Sequence, residues 1–242
     1  MRISTAEFVA IMAMLVATVA ISIDGLLPAL SIITEELTPL RPNNAQIILS
    51  SFVAGMAIGT LIVGPLSDSY GRKPIIYGGA FIYILTSVVC VVSQSLELIL
   101  VARFLQGVGA SAPRVVAQAL VRDFYKGREM ARISSFIMIV FALVPAVAPL
   151  LGSFVMFAFD WRAIFFMFIA FVAISTTWMG LRINETVSKE NRVKFNLRNL
   201  VSAFREILSN PLILTAVITL VFAYSILSVS YTHLTLPTIY SV

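Results

Sequence analysis

Apolar residues come in blocks of about 20 along this chain, with short polar stretches between them. The blocks lie at about 8–31, 46–66, 75–93, 97–120, 133–157, 162–181 and 212–229. About 20 apolar residues in helical form span the hydrocarbon core of a bilayer. Backbone groups in lipid must be satisfied within their own segment, so each block predicts a transmembrane helix. The fold class is then an all-α integral membrane protein. The first block begins Met1-Arg2 and has the outline of a signal peptide. It also holds Asp24 and Pro28, lacks a small-residue cleavage site and leads into six further spans, which argues for a retained helix.

Composition agrees with the pattern. Of 242 residues, 59% are hydrophobic and 12% charged, where soluble domains carry about 45–50% and about 25%. A soluble enzyme is thereby excluded. The net charge of +5 raises the question of nucleic acid, and the placement of the basic residues answers it. With the N-terminus inside, thirteen of the 17 Lys and Arg residues fall at the inner ends and in the inner loops, Arg41 and Arg162 fall outside, and Arg103 and Arg114 lie within span 4. This positive-inside bias predicts a cytoplasmic N-terminus and no nucleic-acid partner. Cys90, the only cysteine, lies in an apolar run and reads as a small buried hydrophobe. With one cysteine and one histidine, His233, no metal site is expected.

The domain organisation follows from the breaks. Residues 1–181 form a six-span bundle, and 182–211 form a basic cytoplasmic linker. In its second half Leu197, Leu200, Val201, Phe204 and Leu208 recur at helical spacing opposite Arg198 and Arg205, which predicts an interfacial helix or a solvated linker helix. Residues 212–229 are a lone seventh span. Residues 230–242 are polar and Thr-rich where a further loop and span would stand; they resemble translated sequencing-adapter sequence and are read as non-native.

Between spans 2 and 3 stands Gly64-Pro-Leu-Ser-Asp68-Ser-Tyr-Gly71-Arg72-Lys73-Pro74. Gly71 permits a tight reversal, Pro74 suits the start of a helix, and Asp68 can meet Arg72, Lys73 or a helix N-terminus. By spacing alone a solvated turn of mixed charge is equally good. Span 4 carries Arg103-Phe-Leu-Gln106-Gly107-Val-Gly109 and ends in Arg122-Asp123; span 5 carries Pro145-Ala-Val-Ala-Pro149-Leu-Leu-Gly152; Asp160-Trp-Arg opens span 6. These segments resemble, in order, the signatures of the major facilitator superfamily, and with Ser22-Ile-Asp24 in span 1 they are similar to its bicyclomycin-resistance-type (Bcr/CflA) multidrug:proton antiporters. Ser69, Ala148 and Ser153 depart from the commoner residues of those motifs.

The resemblance implies a bundle of two three-helix repeats, with span 7 opening a second, absent bundle that is its intramolecular partner. It also implies proton-coupled efflux of drug-like molecules by alternating access, without a cofactor. The chain as written then reads as an inert, C-terminally truncated fragment. In the family scheme Arg72 pairs with Asp123 in a cytoplasmic gate and Asp68 faces a span 11 that is missing here. In the same scheme the span 5 motif would seal the cavity against leak, while as a bare pattern a packing kink is equally good. A superfamily importer of a sugar or organic acid would share the loop motif.

Two charges lie inside the spans. Asp24 and Arg103 each sit about six residues from the outer end of their spans, about 9 Å deep at about 1.5 Å per residue. Charges at such depth face a cavity or a partner. They are therefore expected to pair or to share a cavity, as the titrating carboxylate and its modulator or as a fixed ion pair. Arg114, nearer the inner end, reads as snorkelling to the interface. Phe165, Phe166 and Phe168 read as lipid contacts.

Overall fold

The structure, a computed structural model, describes residues 3–37, 45–188, 190, 192, 195–196, 201–202, 205–206, 208–223 and 225. Among the described residues every regular element is helical. The helices are α1 (Thr5–Asp24), α2 (Leu30–Leu37), α3 (Ala45–Tyr70), α4 (Arg72–Val92), α5 (Leu96–Phe124), α6 (Gly127–Ala158) and α7 (Arg162–Arg182). A single 3-10 turn, Leu27–Ala29, joins α1 to α2. Six segments are long and apolar enough to cross a membrane, the first being α1 and α2 together, Thr5–Leu37. A further apolar helix, α8 (Pro211–Ala223), is shorter. The chain divides into two compact units, residues 1–194 and 195–242. The interfacial helix expected around 197–208 and the end of span 7 fall largely on residues outside those described.

All six membrane segments stand where apolar blocks predicted them, and most run past the blocks. The first reaches Leu37 rather than residue 31, α3 continues to Tyr70, and α6 starts at Gly127 rather than 133. Apolarity measures the hydrocarbon core, whereas hydrogen bonding carries a helix on through Glu35 and Glu36 or Arg128 and Glu129 into the polar region. Start signals are local: Ser4 caps α1 through the Glu7 amide at 3.2 Å, and Ser95 caps α5 through the Leu98 amide at 3.4 Å.

Packing reveals an internal repeat. α5 packs against α3 and α4, α1 packs against α6 and α7, and α1·α5 and α4·α7 close the bundle. Exchanging α1 with α5, α3 with α6 and α4 with α7 maps this contact pattern onto itself. Three-helix units before and after the α4–α5 turn are thus equivalent. The central helices are α1 and α5, whose most apolar stretches are 67% and 61% buried, against 17% for α6. An apolar helix with a bare flank suits lipid or another bundle.

Phe165 and Phe168 correct the expectation of lipid contact. Both are fully buried, and their rings meet edge to face with centroids 5.7 Å apart; only Phe166 faces outward. They lie on the side of α7 turned to the core, which a helix apolar all round does not reveal. Cys90 is buried. Trp161, also buried, donates from Nε1 to Glu36 at 2.7 Å, and Arg162 joins the same carboxylate at 2.8 Å, tying the start of α7 to α2. At the other end of the bundle Arg182 and Trp178 hold Glu7.

Candidate transport site

The first membrane segment breaks at Asp24. Pro28 has no N–H to offer the Asp24 carbonyl four residues back, so the α-helix cannot run through. The chain turns instead at Gly25, whose N–H bonds the Ile21 carbonyl at 3.0 Å, and resumes after the 3-10 turn. Asp24 is half-buried at this break. No hydrogen bond or ion pair to it is found among the described residues. Interrupted helices of this kind are where transporters place polar chemistry.

Arg103 is fully buried. One terminal nitrogen donates to the Ser22 carbonyl at 2.9 Å and the other to Gln106 Oε1 at 2.6 Å, while the guanidinium lies over the Phe52 ring, 4.4 Å from its centroid. The net continues through Gln106 Nε2 to Ser87 Oγ at 2.6 Å and on to the Tyr83 carbonyl at 2.7 Å; the Tyr83 hydroxyl shares a hydrogen bond with Ser22 Oγ. Among the described residues Arg103 Nε has no acceptor. The ion pair that equal depth suggested is therefore not made here. Residues two apart on a helix diverge by about 200°, so Arg103 meets α1 at Ser22 while Asp24 looks elsewhere.

The glycines of the two motifs are points of close approach. A side chain at Gly107 would strike the Phe52 carbonyl of α3, and one at Gly109 the Gly79 carbonyl of α4. Gly152 of α6 abuts the Gly25 carbonyl, so the span 5 motif packs on the break beside Asp24. Within α6, Pro145 and Pro149 remove two backbone donors.

The loop motif gathers at the end of the bundle shared by the α3–α4 turn, the end of α5 and the end of α7. Arg72, nearly buried, donates to Asp123 at 3.1 Å, Asp68 at 2.5 Å and Ser67 Oγ at 2.7 Å. Asp68 thus has a partner within this bundle. Gly71 has φ of 104°, the left-handed region that favours glycine, and it precedes α4 without a side-chain cap. Glu185, just past α7, supplies the cap, accepting from the Arg72 and Lys73 amides at 2.8 and 3.0 Å. Burial pushes the Glu185 carboxyl up, but the amides of Arg72, Lys73, Val187 and Thr186 outweigh it and hold the group below the usual carboxylate value. Thr186 Oγ1 donates to Asp123 at 2.7 Å and Lys73 Nζ to the Gly180 carbonyl at 2.7 Å, near the end of α7. Gly64 lines a small adjoining cavity with Asp68, Arg72, Arg122 and Asp123.

Sequence reasoning missed Glu185 and Thr186, which it assigned to the linker, and Tyr83 and Ser87. A signal existed for the latter two: polar groups four residues apart on one face of an apolar span. Among the described residues no cluster of His, Cys, Asp and Glu could hold a metal.

Six membrane helices in two equivalent triplets, with these motifs at their contacts, agree with the comparison to known proteins. The profile described as Major Facilitator Superfamily matches residues 10–241. The chain belongs to this superfamily. It is 36% identical over 182 residues to a bicyclomycin resistance protein homolog of Haemophilus influenzae, covering 75% of this chain and 46% of the relative. It is 33% identical over 193 residues to the MFS-type transporter YdgK of Bacillus subtilis, covering 78% and 48%. To the multidrug resistance protein MdtL of Citrobacter koseri it is 34% identical over 172 residues, covering 68% and 44%. The chain spans about half the length of these curated relatives. The crystal structure of the human organic anion transporter MFSD10 shares the fold, with a TM-score of 0.64 over 82% of this chain and 53% of that one at 17% identity. A transporter family, and not an enzyme, is the setting in which the site works.

Proposed function

We propose that this chain is the N-terminal bundle of a secondary active transporter that expels drugs or small amphipathic molecules in exchange for protons. The observation that carries the proposal is Asp24: a carboxylate without a partner, at a break in a central membrane helix, between the Gly152 contact of α6 and the point where Arg103 grips α1. A group so placed is charged without a proton and neutral with one, which is what coupling needs. The buried guanidinium at Ser22 fixes the helix that carries it.

Substrate would bind against a second bundle supplied by the remainder of the transporter, and rocking of the two would alternate access. The Asp68–Arg72–Asp123 cluster would latch the closed cytoplasmic side. The positive-inside distribution supports an inner-membrane topology with that cluster and the N-terminus in the cytoplasm.

The test is ethidium efflux driven by an imposed pH gradient in membrane vesicles carrying the full-length transporter. Asp24→Asn is expected to abolish proton-driven movement while leaving ethidium binding. Undiminished proton-driven efflux in that variant would remove Asp24 from the mechanism. Gradient-driven uptake of a sugar in place of dye efflux would favour the importer.

A further inference from the structure

Apart from the site above, one further pair of charges faces a space in the bundle. Ala57 and Thr60 of α3 and Arg114, Val115, Gln118 and Arg122 of α5 line an open cavity of about 410 Å³, in which Arg114 and Val115 are half-buried and the other four exposed. Arg114 lies six residues before the inner end of the 97–120 apolar block and Thr60 six before that of the 46–66 block, so each is about 9 Å inside the core. Arg114 does not snorkel to the interface as the sequence suggested. Its Nη1 meets the Met56 sulphur at 3.4 Å, a weak acceptor.

Arg122, at the mouth, donates through Nε to the Gln118 carbonyl at 3.3 Å. Among the described residues no carboxylate pairs with either guanidinium, and none lines this cavity. The neighbouring cavity of about 270 Å³ sets two carboxylates, Asp68 and Asp123, against Arg72 and Arg122. Arg122 borders both spaces; the carboxylates lie only in the smaller one, and the larger adds Arg114 with no acid beside it.

We infer that the cavity between α3 and α5 binds an anionic oxygen group, a carboxylate or phosphate, carried by a small amphipathic molecule. A guanidinium matches such groups with two parallel N–H donors. Arg114 supplies that fork at depth, Thr60 and Gln118 add polar groups beside it, and Arg122 draws the anion in at the mouth. The apolar body of the guest would lie along Ala57 and Val115. A phospholipid phosphate offers the same chemistry but would have to descend about 9 Å into the core, so the structure favours a solute. Naming it as transported cargo rests on the transporter proposed above.

The test is equilibrium binding of radiolabelled octanoate to the full chain in phosphatidylcholine nanodiscs, with octyl phosphate and octylammonium as competitors. Octyl phosphate is expected to displace the probe at least about tenfold better than octylammonium. Arg114→Gln is expected to weaken octanoate about tenfold and Arg122→Gln less, while Arg132→Gln, on α6 outside the cavity, changes nothing. Equal displacement by the two competitors, or unchanged affinity in Arg114→Gln, would overturn the inference. Should Arg114→Gln fail to fold, the competitor preference of the unaltered chain decides. Replacing a third of the lipid by phosphatidylglycerol separates the sources: suppression of octanoate binding assigns the anion site to lipid and overturns the cargo assignment, and no suppression supports a solute. Loss of anion binding with proton-driven ethidium efflux intact sinks this inference alone; the reverse result sinks only the transporter reading.

Discussion

The Arg103 guanidinium of α5 grips the Ser22 carbonyl of α1 across 2.9 Å, two residues from the unpartnered Asp24. The cation is thereby neutralised in part by backbone and amide dipoles and by the Phe52 ring, and not by the carboxylate. A direct ion pair would hold Asp24 ionised. The observed arrangement links the two residues through the backbone of α1 and not through a direct ion pair.

Gln106 stands between Arg103 and Ser87 and satisfies both. Gln106→Leu deprives a fully buried guanidinium of an acceptor and Ser87 of a donor, at an expected cost of about 2 kcal/mol. Thermal unfolding in detergent measures it; a change of a few tenths would show that the network contributes little.

Arg72 serves two carboxylates that would otherwise face each other. Arg72→Met is expected to destabilise the bundle by about 3 kcal/mol, and Asp123→Asn by about 1 kcal/mol. Because both changes touch one cluster, the double variant should depart from additivity by at least about 0.5 kcal/mol. Strict additivity in a double-mutant cycle would mean the contact at 3.1 Å is energetically idle.

Glu185 makes the cap of α4 sensitive to acid. Its carboxyl is held below the usual value by four backbone amides, so the stabilisation is full above the unfolded carboxylate value of about 4.3 and is lost as pH falls through the lower folded value. The midpoint of unfolding should fall on acidification in the unaltered chain and fall less in Glu185→Gln. Parallel curves for the two would exclude this group as a source of the pH dependence. At neutral pH the substitution should cost about 1 kcal/mol, as for other helix caps.

Gly152 and Gly64 make a matched pair of substitutions. Gly152→Val would drive a branched side chain into the Gly25 carbonyl and separate α6 from α1, with an expected cost of about 2–3 kcal/mol and loss of efflux in the full transporter. Gly64→Ala meets nothing within 4 Å and should be neutral or stabilising by up to about 1 kcal/mol. Equal unfolding midpoints for the two variants would refute the close α1–α6 contact.

The membrane helices and the family were legible because both are written locally. Run length is measured against the bilayer, and the loop motif keeps Asp68, Gly71 and Arg72 within one turn of each other. What escaped was rotation about the helix axis. Phe165 and Phe166 are adjacent and equally apolar, yet one is core and the other surface, and Ser22 and Asp24 share a span but not a face. Glu185 was invisible for another reason: its partner Arg72 is 113 residues away, and an acid in a basic linker resembles any other solvated charge.

From the sequence alone come the positions of the six membrane-length apolar helices and the motifs of the family, since each is written in neighbouring residues of the chain. Tertiary packing alone decided that Arg103 would answer to a carbonyl and leave Asp24 unbound, that Glu185 would start a distant helix, and that Arg114 would open on a space instead of reaching for water. Those outcomes depend on which faces of six similar helices meet. An apolar stretch constrains its own length but not the direction in which any one side chain points.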